Sequence, residues 1–106
     1  RRHSRNVAER FYGTDPSNVS ETQGEAWEMM KRAVSQTWRG ALVSPYLMLA
    51  CSDSRHYGEI SDHVYRFSAM ALSKEERASI HGNDERIPLE KAVQTVEFYL
   101  RLLAQF

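Results

Sequence analysis

Cysteine is almost absent from this 106-residue chain, where Cys51 stands alone. A single cysteine makes no internal disulfide, and a Cys-rich structural zinc site is excluded as well. An excess of charge of either sign is also missing. Lys+Arg and Asp+Glu both number 14, so the formal net charge is zero. That argues against a general nucleic-acid or membrane-surface role, which needs a basic surplus. No apolar run is long enough to cross a bilayer, and no signal-peptide pattern is visible. Internal repeats and low-complexity tracts are lacking too.

What is present fits one small domain or a piece of a larger one. Hydrophobic residues make up 42% of the chain, enough for one modest core. The positive charge is uneven, with Arg1, Arg2, Arg5 and Arg10 crowding the start. A solvated tail accounts for that cluster. The chain opens on Arg-Arg rather than Met, which leads us to expect an upstream portion. A short strand is expected around residues 6–12. The run Thr14-Asp15-Pro16-Ser17-Asn18 collects turn formers and reads as a linker.

Ser20 and Gln23 have capping-box spacing and predict a helix starting there. Ala26, Met30, Ala33, Val34 and Thr37 recur at helical intervals as one buried stripe. Met29 and Met30 read as core filler, and Gly40 supplies the stop near Trp38. Leu42 to Ala50 is nearly all apolar and predicts a strand buried on both faces, with Pro45 near its start or at an edge. Val64-Tyr65-Arg66-Phe67-Ser68-Ala69 alternates and predicts a second strand. Ser73 to Arg77 is a charged turn or short helix. Leu89, Ala92, Val93, Val96, Leu100 and Leu103 then fall on one face of a C-terminal helix. The order helix, strand, strand, helix predicts an α/β fold with helices packed on a mixed sheet.

Two stretches carry candidate chemistry. The first, Ile80-His81-Gly82-Asn83-Asp84-Glu85-Arg86-Ile87-Pro88, sets an imidazole, a glycine and two carboxylates before a helix. Ile80 is placed to anchor the loop in the core, and Gly82 to let the backbone turn the ring toward a cleft. A metal-ligand or acid–base histidine suits that position. An ordinary polar turn, with acids favouring the helix start, accounts for the same letters. The second stretch is Cys51-Ser52-Asp53-Ser54-Arg55-His56-Tyr57, directly after an expected strand end, where open α/β sheets gather ligands. Cys51 to Arg55 looks like the zinc motif of β-class carbonic anhydrases. That family also needs a downstream His-x-x-Cys pair, which a chain with one cysteine cannot supply. Cys51 is therefore taken as a packing residue.

Pro45-Tyr46-Leu47, Ser52 to Tyr57, Val64-Tyr65-Arg66-Phe67 and Ile80 to Pro88 occur in that order. A helix containing Val96-Glu97-Phe98-Tyr99 closes the series. Together they resemble the C-terminal part of the dinuclear zinc metallopeptidase family of carboxypeptidase S, aminoacylase and glutamate carboxypeptidase. The nearest branch is that of carboxypeptidase S and the N-fatty-acyl-amino-acid hydrolase/synthases. The resemblance runs over residues 16 to 106.

The resemblance implies that residues 1–19 end an inserted lid domain and its linker, and that residues 20–106 are the C-terminal part of the catalytic domain. It implies that His81 matches the family's last zinc-binding histidine, and that Glu85 matches the glutamate that holds that loop. Asp53, Ser54 and Arg55 match a Gly-Thr-Asp-Ser-Arg segment lining the substrate cleft, with Cys51 replacing Gly and Ser52 replacing Thr. The implied cofactor is zinc, two ions in the full-length enzyme, with one ligand from this segment. The implied function is cleavage of the amide bond of N-acyl amino acids or short peptides. The implied partners are that small substrate and the rest of the same catalytic domain, and a homodimer through the lid domain is compatible with it. The family's other ligands, a His-x-Asp, an Asp and an Asp-Glu-Glu whose first Glu is the general base, do not occur here. The segment alone is therefore expected to be inactive, with no catalytic residue of its own. The rival reading is a non-catalytic α/β assembly or partner-binding module, which would lack both bound metal and hydrolysis.

Overall fold

The computed structural model describes residues 15–106. The strand expected around residues 6–12 and the basic cluster of the first ten lie outside the described residues. The described residues form helices α1 (Glu25–Thr37), α2 (Ser54–Tyr57), α3 (Lys74–Ala78) and α4 (Leu89–Leu103), joined by turns and irregular chain.

No strand or sheet forms among the described residues, so the expected helices-on-mixed-sheet fold is corrected to a helical one. The physical reason is pairing. An apolar run becomes a strand only when a neighbour takes its N–H and C=O groups. Leu42 to Ala50 finds no such neighbour and stays open, with Leu42 97% and Leu49 86% exposed.

Val64 to Ala69, the second expected strand, likewise forms no ladder. Side chains take the place of strand partners. Ser20 Oγ donates to Val64 O at 2.6 Å, and Thr95 Oγ1 donates to Ala69 O at 2.6 Å. Tyr65, Phe67 and Ala69 look toward the helices: Tyr65 stacks against Trp27, Phe67 against Trp38 and Phe98, and Ala69 is buried. Val64 and Arg66 look the other way, into a narrow cleft.

The first helix begins later than its Ser20–Gln23 signal. The N-cap is Gly24, at φ 90°, a left-handed backbone that glycine adopts without steric cost. Ser20 instead bonds Val64, and Glu21 N–H bonds Asp62 O at 2.8 Å. The helix ends at Thr37, close to the expected Trp38, with Gly40 just beyond. Its buried residues are Met29, Ala33 and Val34.

α4 forms where its periodicity predicted, but it presents a different face. Phe98 is 1% exposed and joins Ala33, Val34 and Ala69 in the core, with Trp38 and Leu102 packed alongside. Of the residues expected on one face, Leu89, Val93, Val96, Leu100 and Leu103 are largely exposed and Ala92 is half-buried. Polar bonds lock the helix pair. Arg101 Nη1 donates to Thr37 Oγ1 at 3.0 Å, Arg32 Nε donates to Gln105 Oε1 at 2.8 Å, and Gln105 Nε2 donates to Met29 O at 2.9 Å.

α3 is short yet well capped. Ser73 Oγ accepts from Glu76 N–H at 3.1 Å while Glu76 Oε2 accepts from Ser73 N–H at 2.8 Å. This capping box confirms the short-helix expectation for Ser73 to Arg77.

Candidate functional site

The His81 turn hangs from the end of α3. Ser79 N–H bonds Glu76 O, Ile80 N–H bonds Arg77 O, and Gly82 N–H bonds Ser79 O at 2.9 Å. The turn therefore continues the helical winding by tight bonds. His81 itself takes the left-handed backbone, at φ 64°. That conformation is uncommon outside glycine and costs energy that the surrounding bonds must hold.

Gly82 contributes differently from expectation. It does not carry the positive φ; it allows close approach, since a Cβ there would sit 3.0 Å from Ser79 O. Ile80 is 45% exposed, so tight turn bonds, not apolar anchoring, brace the loop.

The imidazole of His81 is exposed. An exposed imidazole on a braced turn is a suitable zinc donor. It is one donor only. Among the described residues no three His, Cys, Asp or Glu side chains gather to hold a metal ion. Glu85 is exposed, and the neighbouring Asp84 pairs with Arg86 at 3.2 Å on the surface.

The second cluster is knit by hydroxyls and guanidinium groups. α2 starts after Asp53, which is exposed and makes no side-chain cap bond. Ser54 Oγ lies 2.5 Å from Ser52 Oγ and accepts from Arg66 Nε at 2.6 Å. Arg66 Nη2 donates to Ser17 Oγ at 2.8 Å. Arg55 Nη2 donates to Asp15 O at 3.2 Å, and Asn18 Nδ2 donates to Gly58 O at 3.1 Å. The linker 15–18 is thereby tied to α2, which carries Ser54 and Arg55, and to Gly58 just after it. Arg55, Asp62 and Arg66 all line the narrow cleft between them, a space of about 10 Å³.

The structure therefore gathers Ser54 and Arg55 with Ser52, Arg66 and Ser17. Asp53 sits at the mouth of this cluster in sequence but bonds nothing within it. His81 and Glu85 share no hydrogen bond or ion pair with the cluster among the described residues. Cys51 is a free, exposed thiol, so the packing role expected of it does not hold. Arg66 and Ser17 escaped the sequence reading. The signal for Arg66 was there: one cation set between Val64, Tyr65 and Phe67 in an alternating segment.

Tyr65 closes the opposite side of the same segment. Its hydroxyl donates to Glu21 O at 2.8 Å and lies 3.2 Å from His63 Nδ1. Burial, and then the Glu21 carboxylate, push its phenol above the ordinary value. No helix among the described residues is long and apolar enough to cross a membrane.

Comparison with known proteins gives this geometry a context. The chain is 30% identical over 89 residues to a probable carboxypeptidase S-like protein of Dictyostelium discoideum, and 32% identical over 94 residues to a second. It is 33% identical over 90 residues to an N-fatty-acyl-amino acid synthase/hydrolase of Xenopus tropicalis. These matches cover 84–87% of this chain and 17–19% of each relative. No family model matches, and no solved structure matches. The relatives are named as carboxypeptidase S-like proteins and as an N-fatty-acyl-amino acid synthase/hydrolase. The chain belongs to the family of carboxypeptidase S-like proteins and N-fatty-acyl-amino acid synthase/hydrolases, of which it spans less than a fifth.

Proposed function

We propose that this chain is a segment of a zinc-dependent exopeptidase or amidohydrolase that cleaves the amide bond of N-acyl amino acids or short peptides. The observation that carries the reading is identity of 30–33% with carboxypeptidase S-like and N-fatty-acyl-amino acid relatives over most of this chain. His81 supplies one zinc-binding nitrogen in this proposal. Its exposed ring on a turn braced by Ser79 and Gly82 supports that role. A ligand held on a rigid support loses little freedom when it binds.

Zinc, when bound, lowers the pKa of a bound water to about 7 and polarises the scissile carbonyl. The segment's own residues bind and orient. Arg55 takes the free carboxylate of the substrate, because a guanidinium fork matches two carboxylate oxygens. Asp53 and Ser54 line the pocket beside it, and Glu85 steadies the His81 loop. The proton-accepting glutamate and the remaining metal ligands belong to parts of the domain outside this chain. The segment alone is then inactive.

The experiment is His81→Ala in the full-length protein. Zinc content should fall, and hydrolysis of N-acyl amino acids should drop by more than about 100-fold, since even the partners of a metal ligand are worth about 10–100-fold. Circular dichroism should be unchanged. A folded variant with full zinc and normal turnover would refute the assignment and leave the assembly module in front.

A further inference from the structure

We propose, resting on the hydrolase reading above, that Arg66 is a positioning residue: it bridges Ser54 to Ser17 and so fixes the substrate loop against the linker.

The geometry is specific to a guanidinium. One planar group sends Nε to Ser54 Oγ at 2.6 Å and Nη2 to Ser17 Oγ at 2.8 Å. The two serines lie 12 and 49 residues from Arg66 in sequence, so one side chain joins three separate stretches. Arg66 is half-buried, yet among the described residues it makes no ion pair, although Asp62 lines the same cleft. A half-buried charge held only by neutral hydroxyls keeps its field, and that field falls on α2, which carries Arg55.

The charge also sets the direction of the hydroxyl chain. Arginine has only donors, so Ser54 must accept from it. Accepting a charge-assisted bond polarises the Ser54 hydroxyl and makes it the better donor of the serine pair. Ser54 Oγ then donates its hydrogen bond to Ser52 Oγ, 2.5 Å away, which also accepts from Ser54 N–H at 3.3 Å. The Ser52 proton is left for an acceptor outside the chain. Ser52 is exposed, just before α2, which carries Arg55. A carboxylate is the acceptor that suits a free hydroxyl proton beside a guanidinium. Arg66 thus prepares carboxylate binding without touching the substrate.

The discriminating variant is Arg66→Lys in the full-length protein. Lysine keeps the charge but cannot span both serines as a fork does. The expected result is a KM for N-acyl amino acids raised about tenfold, the worth of one charge-assisted bond, with kcat and zinc content unchanged. Ser54→Ala should raise KM by a similar factor, and the double variant should be no worse than either single one. A wild-type KM in Arg66→Lys, a loss confined to kcat, or additive effects in the double variant would each overturn the proposal. Hydrogen exchange gives a readout independent of turnover. In Arg66→Lys, peptides 15–22 and 51–58, whose bonded amides include those of Glu21, Arg55 and His56, should lose protection together. If one moves without the other, or neither moves, the bridge is refuted. A wild-type protein that hydrolyses no N-acyl amino acid would sink the hydrolase reading, and the exchange experiment would still decide the bridge. Should Arg66→Lys fold poorly, Ser17→Ala cuts one end of the bridge and is read by the same exchange measurement.

Discussion

Replacing Phe98 with alanine removes the one large side chain that is fully buried among the described residues. Its ring lies 5.6 Å from Trp38, 5.1 Å from Phe67 and 5.1 Å from Tyr99. Each such ring pair is worth about 0.5–1.5 kcal/mol beyond burial. Truncation also leaves a cavity between α1 and α4, and the usual cost of Phe→Ala in a core is about 3–5 kcal/mol. Whole domains of this size are stable by only about 5–15 kcal/mol. Phe98→Ala should therefore remove much of the stability of the 106-residue chain. Leu100→Ala is the control, because Leu100 is 63% exposed. Exposed positions change stability by no more than about 0.5 kcal/mol. The assay is urea unfolding of both variants, followed by helical circular dichroism. Equal costs, or a larger cost for Leu100→Ala, would show that α4 packs by the stripe the periodicity suggested and would refute the observed face. A wild-type chain with no cooperative transition would refute the packed pair altogether.

Ser73→Ala should remove the capping box of α3 and cost about 1 kcal/mol of local stability, read as lost hydrogen-exchange protection over residues 74–78. Unchanged protection would mean the cap is ornamental. Tyr65 gives a pH test. Its phenol holds its proton more tightly folded than unfolded. That contribution is complete below the ordinary tyrosine value of about 10 and is lost as pH rises through the raised folded value. Wild-type stability should thus fall more steeply than that of Tyr65→Phe above pH of about 10, measured as urea midpoints across a pH series. Parallel curves would refute the shift.

The two long helices were legible because helical period and the stop at Gly40 are local properties. The Ser73 to Arg77 turn or short helix was legible too, while its cap between Ser73 and Glu76 emerged only in the structure. The cluster around Ser54 and Arg55 was legible in part. Ser54 and Arg55 stood out as a polar burst after an apolar run, but their partners Ser17 and Arg66 are far apart in sequence. No local pattern links residues 17, 54 and 66. Family likeness pointed to His81, while its left-handed backbone could not be read from the letters, because the glycine beside it was the natural candidate for that conformation.

Tertiary structure decided the rest. Periodicity in α4 marked the face of Leu89, Val93, Val96, Leu100 and Leu103, while Phe98 and Leu102 lie on a different, mostly polar side. The rings of Trp38 and Phe67 chose the side bearing Phe98. Alternation in Val64 to Ala69 predicted a strand, and that strand does not form, although the segment has two different sides. Whether such a chain joins a sheet depends on another backbone lying beside it, and that is a property of the neighbours. Here Ser20 and Thr95 hydroxyls meet its carbonyls instead. Sequence by itself thus located the two long helices and pointed to the family. Pairing, facing and the Arg66 bridge came from contacts between distant stretches, which a one-dimensional pattern does not contain.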